Sequence, residues 1–317
     1  MVVSPRQTDS AGRRQVSRVW LALGVVYVAW GSTYVGIRIM DRTVPPLIGA
    51  GIRYVAAGLL MYVLLALLRR QLPAVSAREL GSVALVGVLL LTGGNGFVSF
   101  AEREVPAGLA ALVVASVPLW LLLFRYLTGE RPAAATLGGL GVGFVGVALL
   151  VIRGGQGQGV NVWHVLIVLG ASLSWALGTW VSPRLPMPAD AATGTALEML
   201  IGGALLALLG PLVGEDWGRV TSHASAASLE AIAYLALIGS ILAFTTYVWL
   251  LRHAPISQVS TYAYVNPAVA VLLGALLLGE RITAVTAVAG VIILGAVAVV
   301  IRAERAPPAS VAVDPAA

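Results

Sequence analysis

The sequence contains no cysteine and no lysine, and it is poor in charge of either sign. Charged residues make up 11% of its 317 residues, whereas a typical soluble domain has roughly 25%. The absence of cysteine excludes disulfide bonds, thiolate metal ligands and cysteine nucleophiles. The three histidines, His164, His223 and His253, lie far apart in the chain, so we expect neither a metal site nor a cofactor.

Apolar residues dominate the composition. They account for 59% of the chain, and the mean hydropathy is +0.92. Because so few charges cannot cover a water-exposed surface, the surrounding solvent must be largely lipid. The net charge of +6 comes from arginines at the ends of apolar runs. This placement is typical of arginines that anchor and orient a protein in a membrane, and it argues against nucleic-acid binding. The expected partners are therefore a lipid bilayer and a small-molecule substrate.

Ten apolar runs are long enough to cross a membrane as helices, since a helix needs about 20 residues to cross ~30 Å of hydrocarbon. The first five lie at 19–40, 46–68, 80–101, 106–127 and 135–152. The second five lie at 163–182, 191–213, 228–251, 256–278 and 284–301. The sequence therefore predicts an all-α membrane protein with ten transmembrane helices.

Three polar segments flank these two groups of helices. Residues 1–18 are basic and precede a span without a small-residue cleavage site, so we expect a disordered cytoplasmic N-terminus and an uncleaved signal anchor. Residues 153–162 form a Gly-rich stretch that we expect to be a periplasmic linker. Residues 302–317 are rich in proline and alanine, and we expect a disordered cytoplasmic tail. The chain thus divides into one five-helix repeat at 19–152 and a second at 163–301.

The two groups of helices repeat one another. In each fourth helix of a group, two prolines lie twelve residues apart and the helix ends in Gly-Glu-Arg. The matching positions are Pro106, Pro118 and Gly129-Glu130-Arg131 in the first half, and Pro255, Pro267 and Gly279-Glu280-Arg281 in the second. Several further matches occur in the same order, including Arg103 with Arg252, so we infer a duplication.

An odd number of helices per half makes the second copy enter the membrane from the opposite side, which predicts an inverted 5+5 repeat. The arginines indicate the orientation. With the N-terminus inside, thirteen arginines fall in cytoplasmic segments, five in outer loops and two within spans. By the positive-inside rule, we expect both the N-terminus and the C-terminus in the cytoplasm. The expected location of the protein is the inner membrane of a bacterium.

Several motifs resemble a known family. They are Trp30-Gly-Ser-Thr-Tyr-Val-Gly-Ile-Arg38, Gly94-Asn95-Gly96-Phe97, Pro106-Ala-Gly-Leu-Ala-Ala, Tyr262-Ala-Tyr-Val-Asn-Pro267 and Leu278-Gly-Glu-Arg281. In this order they resemble the EamA-like members of the drug/metabolite transporter superfamily, and most closely their YedA-like branch. The resemblance extends from about Val19 to Ile301. It implies alternating access around a cavity between the two halves, with export as the usual direction.

Polar and aromatic side chains follow one face of several predicted helices, and we expect them to line a substrate cavity. The candidates are Trp30, Thr33, Tyr34, Arg38, Thr92, Asn95, Ser99, Glu102, Trp175, Thr179, Ser257, Thr261, Tyr264 and Asn266. In the first helix, Trp30, Tyr34 and Arg38 recur every four residues and therefore share a face. The alternatives are that the aromatic rings pack between helices, that Arg38 lies near the headgroups, and that the hydroxyls bond to their own helix backbone.

Two ionisable residues fall well inside predicted spans. Arg53 lies about eight residues from the end of its span, and Glu198 occupies a corresponding position in the second repeat. Either charge would cost roughly 2.5–3.5 kcal/mol near the bilayer centre, so each needs a partner or water. One interpretation is a fixed ion pair between them. In a second, Glu198 takes up a proton or Arg53 meets a substrate carboxylate. The third is that these side chains snorkel toward the headgroups.

The repeated prolines and glycines indicate how the helices bend and pack. Pro118 and Pro267 release a backbone carbonyl, so they are either hinges for rocking of the two halves or static kinks. The Gly-Glu-Arg endings are typical of helix C-caps with interfacial charges, and gates are the less favoured alternative. Gly139 and Gly143 have the GxxxG spacing of close helix contact, a pattern compatible with a monomer and with an oligomer.

The sequence predicts a secondary transporter that exports small metabolites such as amino acids or drug-like compounds, and it predicts no enzymatic activity. ATP-driven transport is unsupported because the chain contains no P-loop. The alternatives are a channel or a lipid flippase on the same fold and, less favoured, an intramembrane enzyme. The first predicted helix contains no acid between Val19 and Met40, unlike small multidrug carriers of this superfamily, and this favours neutral, zwitterionic or anionic solutes.

Overall fold

A computed structural model describes residues 5–70, 74–130, 134–154, 159–254, 259 and 261–303. All regular secondary structure in these residues is helical. Nine helices are long and apolar enough to cross a membrane within the described part of the chain. A tenth, Tyr262–Leu278, is shorter and follows a stretch that is only partly described. The predicted all-α membrane fold is therefore confirmed.

We number the spans 1 to 10 in chain order. Spans 1 to 5 are Val16–Met40, Pro46–Arg69, Ala77–Ala101, Ala107–Leu127 and Thr136–Arg153. Spans 6 to 8 are Val162–Arg184, Ala191–Leu212 and Ala226–Tyr247, followed by span 9 at Tyr262–Leu278 and span 10 at Ala284–Arg302. Most observed ends lie within a few residues of the predicted ones, because the apolar runs are bounded by charged residues, prolines or glycines.

The chain is helical before the first span begins. The helix that contains span 1 starts at Pro5, within the segment 1–18 for which we expected disorder. Proline is tolerated in the first turn of a helix, and apart from Gly12 no helix breaker separates Pro5 from the apolar run. At the other end the last helix stops at Ala303, and the expected disordered tail lies almost entirely outside the described residues.

The two halves interlock through equivalent pairs of helices. Span 2 packs against span 7, and span 5 packs against span 10. Span 1 lies against spans 8 and 9 of the other half, while span 6 lies against spans 3 and 4. Exchanging the halves converts each of these pairs into its counterpart. This is the packing expected of an inverted repeat.

Glycines allow the backbones of paired spans to approach closely. A Cβ atom at Gly51 of span 2 would lie 2.7 Å from the backbone nitrogen of Ala207 in span 7. At Gly143 of span 5, a Cβ would lie 3.3 Å from the Cβ of Ala296 in span 10. In lipid, where no hydrophobic effect drives helices together, such contacts supply the van der Waals attraction that holds the halves.

Spans 3 and 8 each contain a π-helical segment, at Val88–Gly96 and Leu235–Leu242. Such segments interrupt the regular i to i−4 backbone hydrogen bonds of the helix. Serine hydroxyl groups donate hydrogen bonds to backbone carbonyls there. The Ser174 hydroxyl of span 6 donates to the carbonyl of Leu89 at 2.8 Å, and Ser240 donates to that of Leu235 at 3.1 Å. π-Helical segments are frequent at functional sites, and these two lie in corresponding helices of the two repeats.

The two matched prolines have different surroundings. Span 4 is broken into Ala107–Val114 and Val117–Leu127, and Pro118 lies in the first turn of the second piece. Pro267, by contrast, lies inside the continuous helix Tyr262–Leu278. A proline at the start of a helix loses no hydrogen bond, whereas one in the interior does. Whether either residue is a hinge stays a prediction.

Replacing Gly51 by alanine tests the close approach of spans 2 and 7. The added methyl group collides with the backbone of span 7, which cannot move as a side chain can, so we expect a loss of about 1–3 kcal/mol of stability. Gly141→Ala is the matched control, because a Cβ there has nothing within 4 Å. Thermal unfolding in detergent should show a lower Tm for the Gly51 variant only. Equal Tm values for both variants would contradict the contact.

Candidate functional site

A polar cavity opens where spans 1, 3 and 9 end. Its volume is about 470 Å³, within the range of small-molecule sites. It is lined by Arg38, Asp41, Arg42, Arg103, Glu104, Leu278 and Glu280. Six of these seven residues are charged, in a chain whose overall charge content is low. The cavity therefore concentrates groups that can bind a polar solute.

Glu102 lies beside this cavity and is fully buried. Neither of its carboxylate oxygens has a hydrogen-bond partner within the described part of the chain. Its backbone carbonyl, however, accepts a hydrogen bond from Nη1 of Arg38. Burial raises the pKa of the Glu102 carboxyl well above its ordinary value, and the negative charge of Asp41 raises it further. Arg38 opposes these effects but does not cancel them.

Asp41 follows the last residue of span 1 and has a similar environment. Both of its carboxylate oxygens are buried and lack hydrogen-bond partners among the described residues. Burial raises the pKa of the Asp41 carboxyl well above its ordinary value, with Glu215 adding to the effect and Arg103 and Arg38 opposing it. Asp41 and Glu102 thus form a pair of buried acids, and ionising both together is unfavourable.

Two glutamates cap helices that begin on the same face. The Glu280 carboxylate accepts hydrogen bonds from the backbone N–H groups of Ala107 at 2.7 Å and Gly108 at 3.0 Å, at the start of span 4. Glu215, after span 7, accepts from Leu47 at 3.1 Å and Ile48 at 2.9 Å, at the start of span 2. Negative charge is stabilising at a helix N-terminus, and each carboxylate satisfies donors that lipid cannot satisfy.

The ending of span 9 makes the Glu280 contact possible. Gly279 is the C-cap of this span and adopts the left-handed conformation with φ +67°, as the Gly-Glu-Arg motif predicts. The reversal of the chain brings Glu280 over the start of span 4. The motif is therefore more than a C-cap with interfacial charges, because its glutamate joins two spans from different halves.

Trp30 packs within an aromatic cluster between spans 1, 8 and 9. Its ring centroid lies 5.1 Å from that of Tyr247 and 5.2 Å from that of Tyr262. Trp30 Nε1 donates to the carbonyl of Gly239 at 3.1 Å, which satisfies its polar group. One turn earlier, the hydroxyl groups of Tyr27 and Thr261 are in hydrogen-bond contact. These contacts match the packing alternative for Trp30 in this conformation.

The other candidates on span 1 lie between this cluster and the cavity. Thr33 is half-buried and donates to the carbonyl of Trp30 at 2.6 Å, within its own helix. Tyr34 packs against the hydrophobic core that includes spans 4 and 10. Arg38 reaches the cavity wall. Of the four candidates on this helix face, Arg38 alone lines the described cavity.

The polar stripe predicted on span 3 is interrupted by the π-helical segment. Thr92 donates to the carbonyl of Gly202 in span 7 at 3.2 Å, so its hydroxyl bridges two spans. Asn95 is half-buried, and Ser99 is buried with a hydroxyl group that has no partner among the described residues. Because the π-helical segment changes the residue spacing, the four positions do not continue as one regular stripe. Glu102 is the member that adjoins the cavity.

The candidates of spans 6 and 9 lie apart from the cavity or outside the described residues. Trp175 packs on Gly94, where a Cβ would lie 2.9 Å from the indole ring. Thr179 is exposed and donates to the carbonyl of Trp175 at 2.9 Å. Asn266 is buried, and its Oδ1 atom has no partner in the described part of the chain. Ser257 and the side chain of Tyr264 lie outside the described residues.

Arg53 and Glu198 are both buried, but no ion pair joins them in the described chain. Arg53 instead donates from Nε to the Ser240 hydroxyl at 3.2 Å, and its guanidinium carbon lies 4.6 Å from the centroid of the Tyr54 ring. Its Nη1 atom has no partner among the described residues. The fixed pair that we considered is therefore not formed in this conformation. A role for either residue in transport stays a prediction.

The fold and site together define a class: a polytopic membrane protein of two inverted halves with a solute-sized polar cavity open at one end. The sequence comparisons then give the family. The sequence profile of the EamA-like transporter family matches residues 18–152 and 162–302, so each half carries one match. The chain belongs to this family.

Relatives support this assignment along nearly the whole chain. The chain is 40% identical over 303 residues to the uncharacterized inner membrane transporter YedA of Escherichia coli strain K12, covering 95% of this chain and 96% of that protein. It is 26% identical over 291 residues to a probable amino-acid metabolite efflux pump of the same strain, covering 86% and 91% of the two chains. A crystal structure shares 20% identity at a TM-score of 0.60, covering 91% of this chain and 99% of that one, which indicates a common fold.

Removal of the Glu280 carboxylate tests the cap of span 4. Glu280→Ala leaves the Ala107 and Gly108 N–H groups without their acceptor, and we expect a loss of about 1–2 kcal/mol of stability. Glu104→Ala is the control, because this exposed residue lines the same cavity without a described hydrogen bond. The measurement is Tm in detergent for both variants. If the two substitutions lower Tm equally, the cap contributes nothing specific.

Proposed function

We propose that this protein is a secondary transporter of a bacterial inner membrane that exports small metabolites, such as amino acids or drug-like compounds, by alternating access. The observation that carries this proposal is a solute-sized polar cavity at the end where spans 1, 3 and 9 terminate. The relatives named as an inner membrane transporter and as a probable efflux pump support the direction and the substrate class.

The aromatic cluster supports a carrier in one of its two access states. Arg38 of the cavity lies eight residues beyond Trp30, which is ~12 Å along the helix. Between these levels the half-buried Tyr34 packs against the core. Alternating access requires such a closed layer on one side of the site while the other side is open. In this proposal the layer around Trp30 opens when the cavity closes.

The distribution of arginine supports the orientation. With both termini in the cytoplasm, spans 1, 3, 7 and 9 end at the periplasmic face, and so the cavity opens to the periplasm. This is the state from which an exporter releases its solute. Thirteen arginines on the cytoplasmic side against five on the outer side favour this arrangement.

A channel or a lipid flippase on the same fold is the alternative function, and an intramembrane enzyme is less favoured. A channel needs a continuous wet path, which the contacts of Trp30 with Tyr247 and Tyr262 oppose. The charged lining of the cavity favours a polar solute over the apolar chains of a lipid. Membership of a transporter family argues against an enzyme.

Counterflow in proteoliposomes distinguishes these functions. Vesicles are preloaded with one amino acid or aromatic amine from a panel, and uptake of its labelled form is measured against concentration. For a carrier we expect transient accumulation that saturates, because each transport cycle binds one solute at a finite number of sites. Vesicles without protein serve as the control. Flux that rises in proportion to concentration for every active compound would indicate a pore and overturn the proposal.

A further inference from the structure

Two acids at the inner side of the cavity, here called the cavity floor, have acceptors that no described donor satisfies: Asp41 lines the cavity, and Glu102 is buried directly before the lining residues Arg103 and Glu104. Asp41 and Glu102 present four buried carboxylate oxygens without hydrogen-bond partners among the described residues. A buried carboxylate without a donor is strongly disfavoured, and native proteins leave few of them. Two such groups next to one solute-sized cavity therefore point to a ligand that brings its own donors.

The neighbouring arginines leave these oxygens unsatisfied. Arg38 lies against Glu102, yet its Nη1 donates to the backbone carbonyl of that residue. Arg42 and Arg103 line the cavity as exposed residues at its rim. Glu280 is engaged by the N–H groups of Ala107 and Gly108. Positive charge is thus available at the rim, while the acceptors at the floor remain open.

We propose that Asp41 and Glu102 form a binding site for the ammonium group of the transported solute. This inference rests on the proposed function, because it assigns part of the substrate to one end of the same cavity. The solute class that fits is a small primary amine. This departs from the neutral, zwitterionic or anionic solutes that the lack of an acid between Val19 and Met40 favours, because Asp41 supplies a carboxylate directly after that segment. If it also carries a carboxylate, that group meets Arg42 or Arg103 at the rim.

An ammonium group matches this floor better than other cations do. It supplies three N–H donors, and hydrogen bonds between ionised groups are short and strong. A metal ion needs several ligands around one point, and in the described residues no group of three or more acidic, histidine or cysteine side chains has that arrangement. A quaternary amine has the charge but no N–H donor, so it leaves the carboxylate oxygens unsatisfied.

Thermal unfolding with three simple salts tests this site without knowledge of the full substrate. The purified protein in detergent is heated in methylammonium chloride, tetramethylammonium chloride or sodium chloride at equal ionic strength. Methylammonium has N–H donors and should raise Tm by about 2 °C more than the other two salts when its concentration is well above its Kd. The absence of such a difference would overturn the inference.

Three substitutions locate the effect. Asp41→Asn and Glu102→Gln retain shape but remove the negative charge, so each should abolish the extra shift with methylammonium. Glu230→Gln alters an exposed carboxylate near the start of span 8 that does not line the cavity, and it should keep the shift. A shift that survives in both floor variants would place the ammonium group elsewhere and contradict the assignment.

Carbodiimide labelling of the wild-type protein covers the case in which a floor variant does not fold. Dicyclohexylcarbodiimide modifies buried protonated carboxyl groups, and mass spectrometry identifies the labelled residue. Methylammonium at about ten times its Kd should slow the labelling of Asp41 and Glu102 roughly tenfold, and tetramethylammonium should not. Equal rates in both salts would overturn the proposal. Saturable counterflow together with equal rates would refute this site alone and leave the transporter function intact.

Discussion

Hydrocarbon cannot donate or accept a hydrogen bond, and this constraint organises the molecule. Each polar atom inside the bilayer must find a partner within the protein or lie beside water. Glu215 and Glu280 satisfy the first N–H groups of spans 2 and 4, and Ser174 satisfies a carbonyl of a π-helical segment. Against this background, the unpartnered carboxylates of Asp41 and Glu102 stand out. We propose that they mark the place where solvent or a solute enters.

The duplication explains why the helices pack in matched pairs. Local differences between the two halves show where this conformation departs from exact symmetry. Equivalent spans pair across the halves in equivalent ways. Glu280 caps span 4, and its counterpart Glu130 forms an ion pair with Arg125 at 2.7 Å, while the residues equivalent to Ala107 and Gly108 lie outside the described part of the chain. The prolines differ, since Pro118 begins a helical piece and Pro267 lies within a helix. An inverted repeat open at one end must have unequal halves at any moment.

The sequence predicts the framework well because lipid imposes a simple rule on helix length. The span predicted at 46–68 is observed at Pro46–Arg69, and Gly143 makes the close contact that its spacing predicts. The site is predicted less completely. Asp41 lies one residue beyond a predicted span and carries no motif, and the π-helical segment of span 3 has no signature in residue type. Trp30 is predicted on a cavity wall, and in this conformation its ring packs against Tyr247 and Tyr262, long-range contacts that no local pattern encodes.

The central claim is that two inverted halves surround a cavity that opens on the side opposite to both termini. Single-cysteine labelling tests it directly, because the natural chain has no cysteine to interfere. Variants Ser10→Cys and Ser310→Cys mark the termini, and Glu104→Cys and Arg219→Cys mark the face of the cavity. In intact cells with a permeable outer membrane, an impermeant maleimide should label the last two positions and spare the first two. Labelling of only one terminus, or of neither cavity position, would contradict the account.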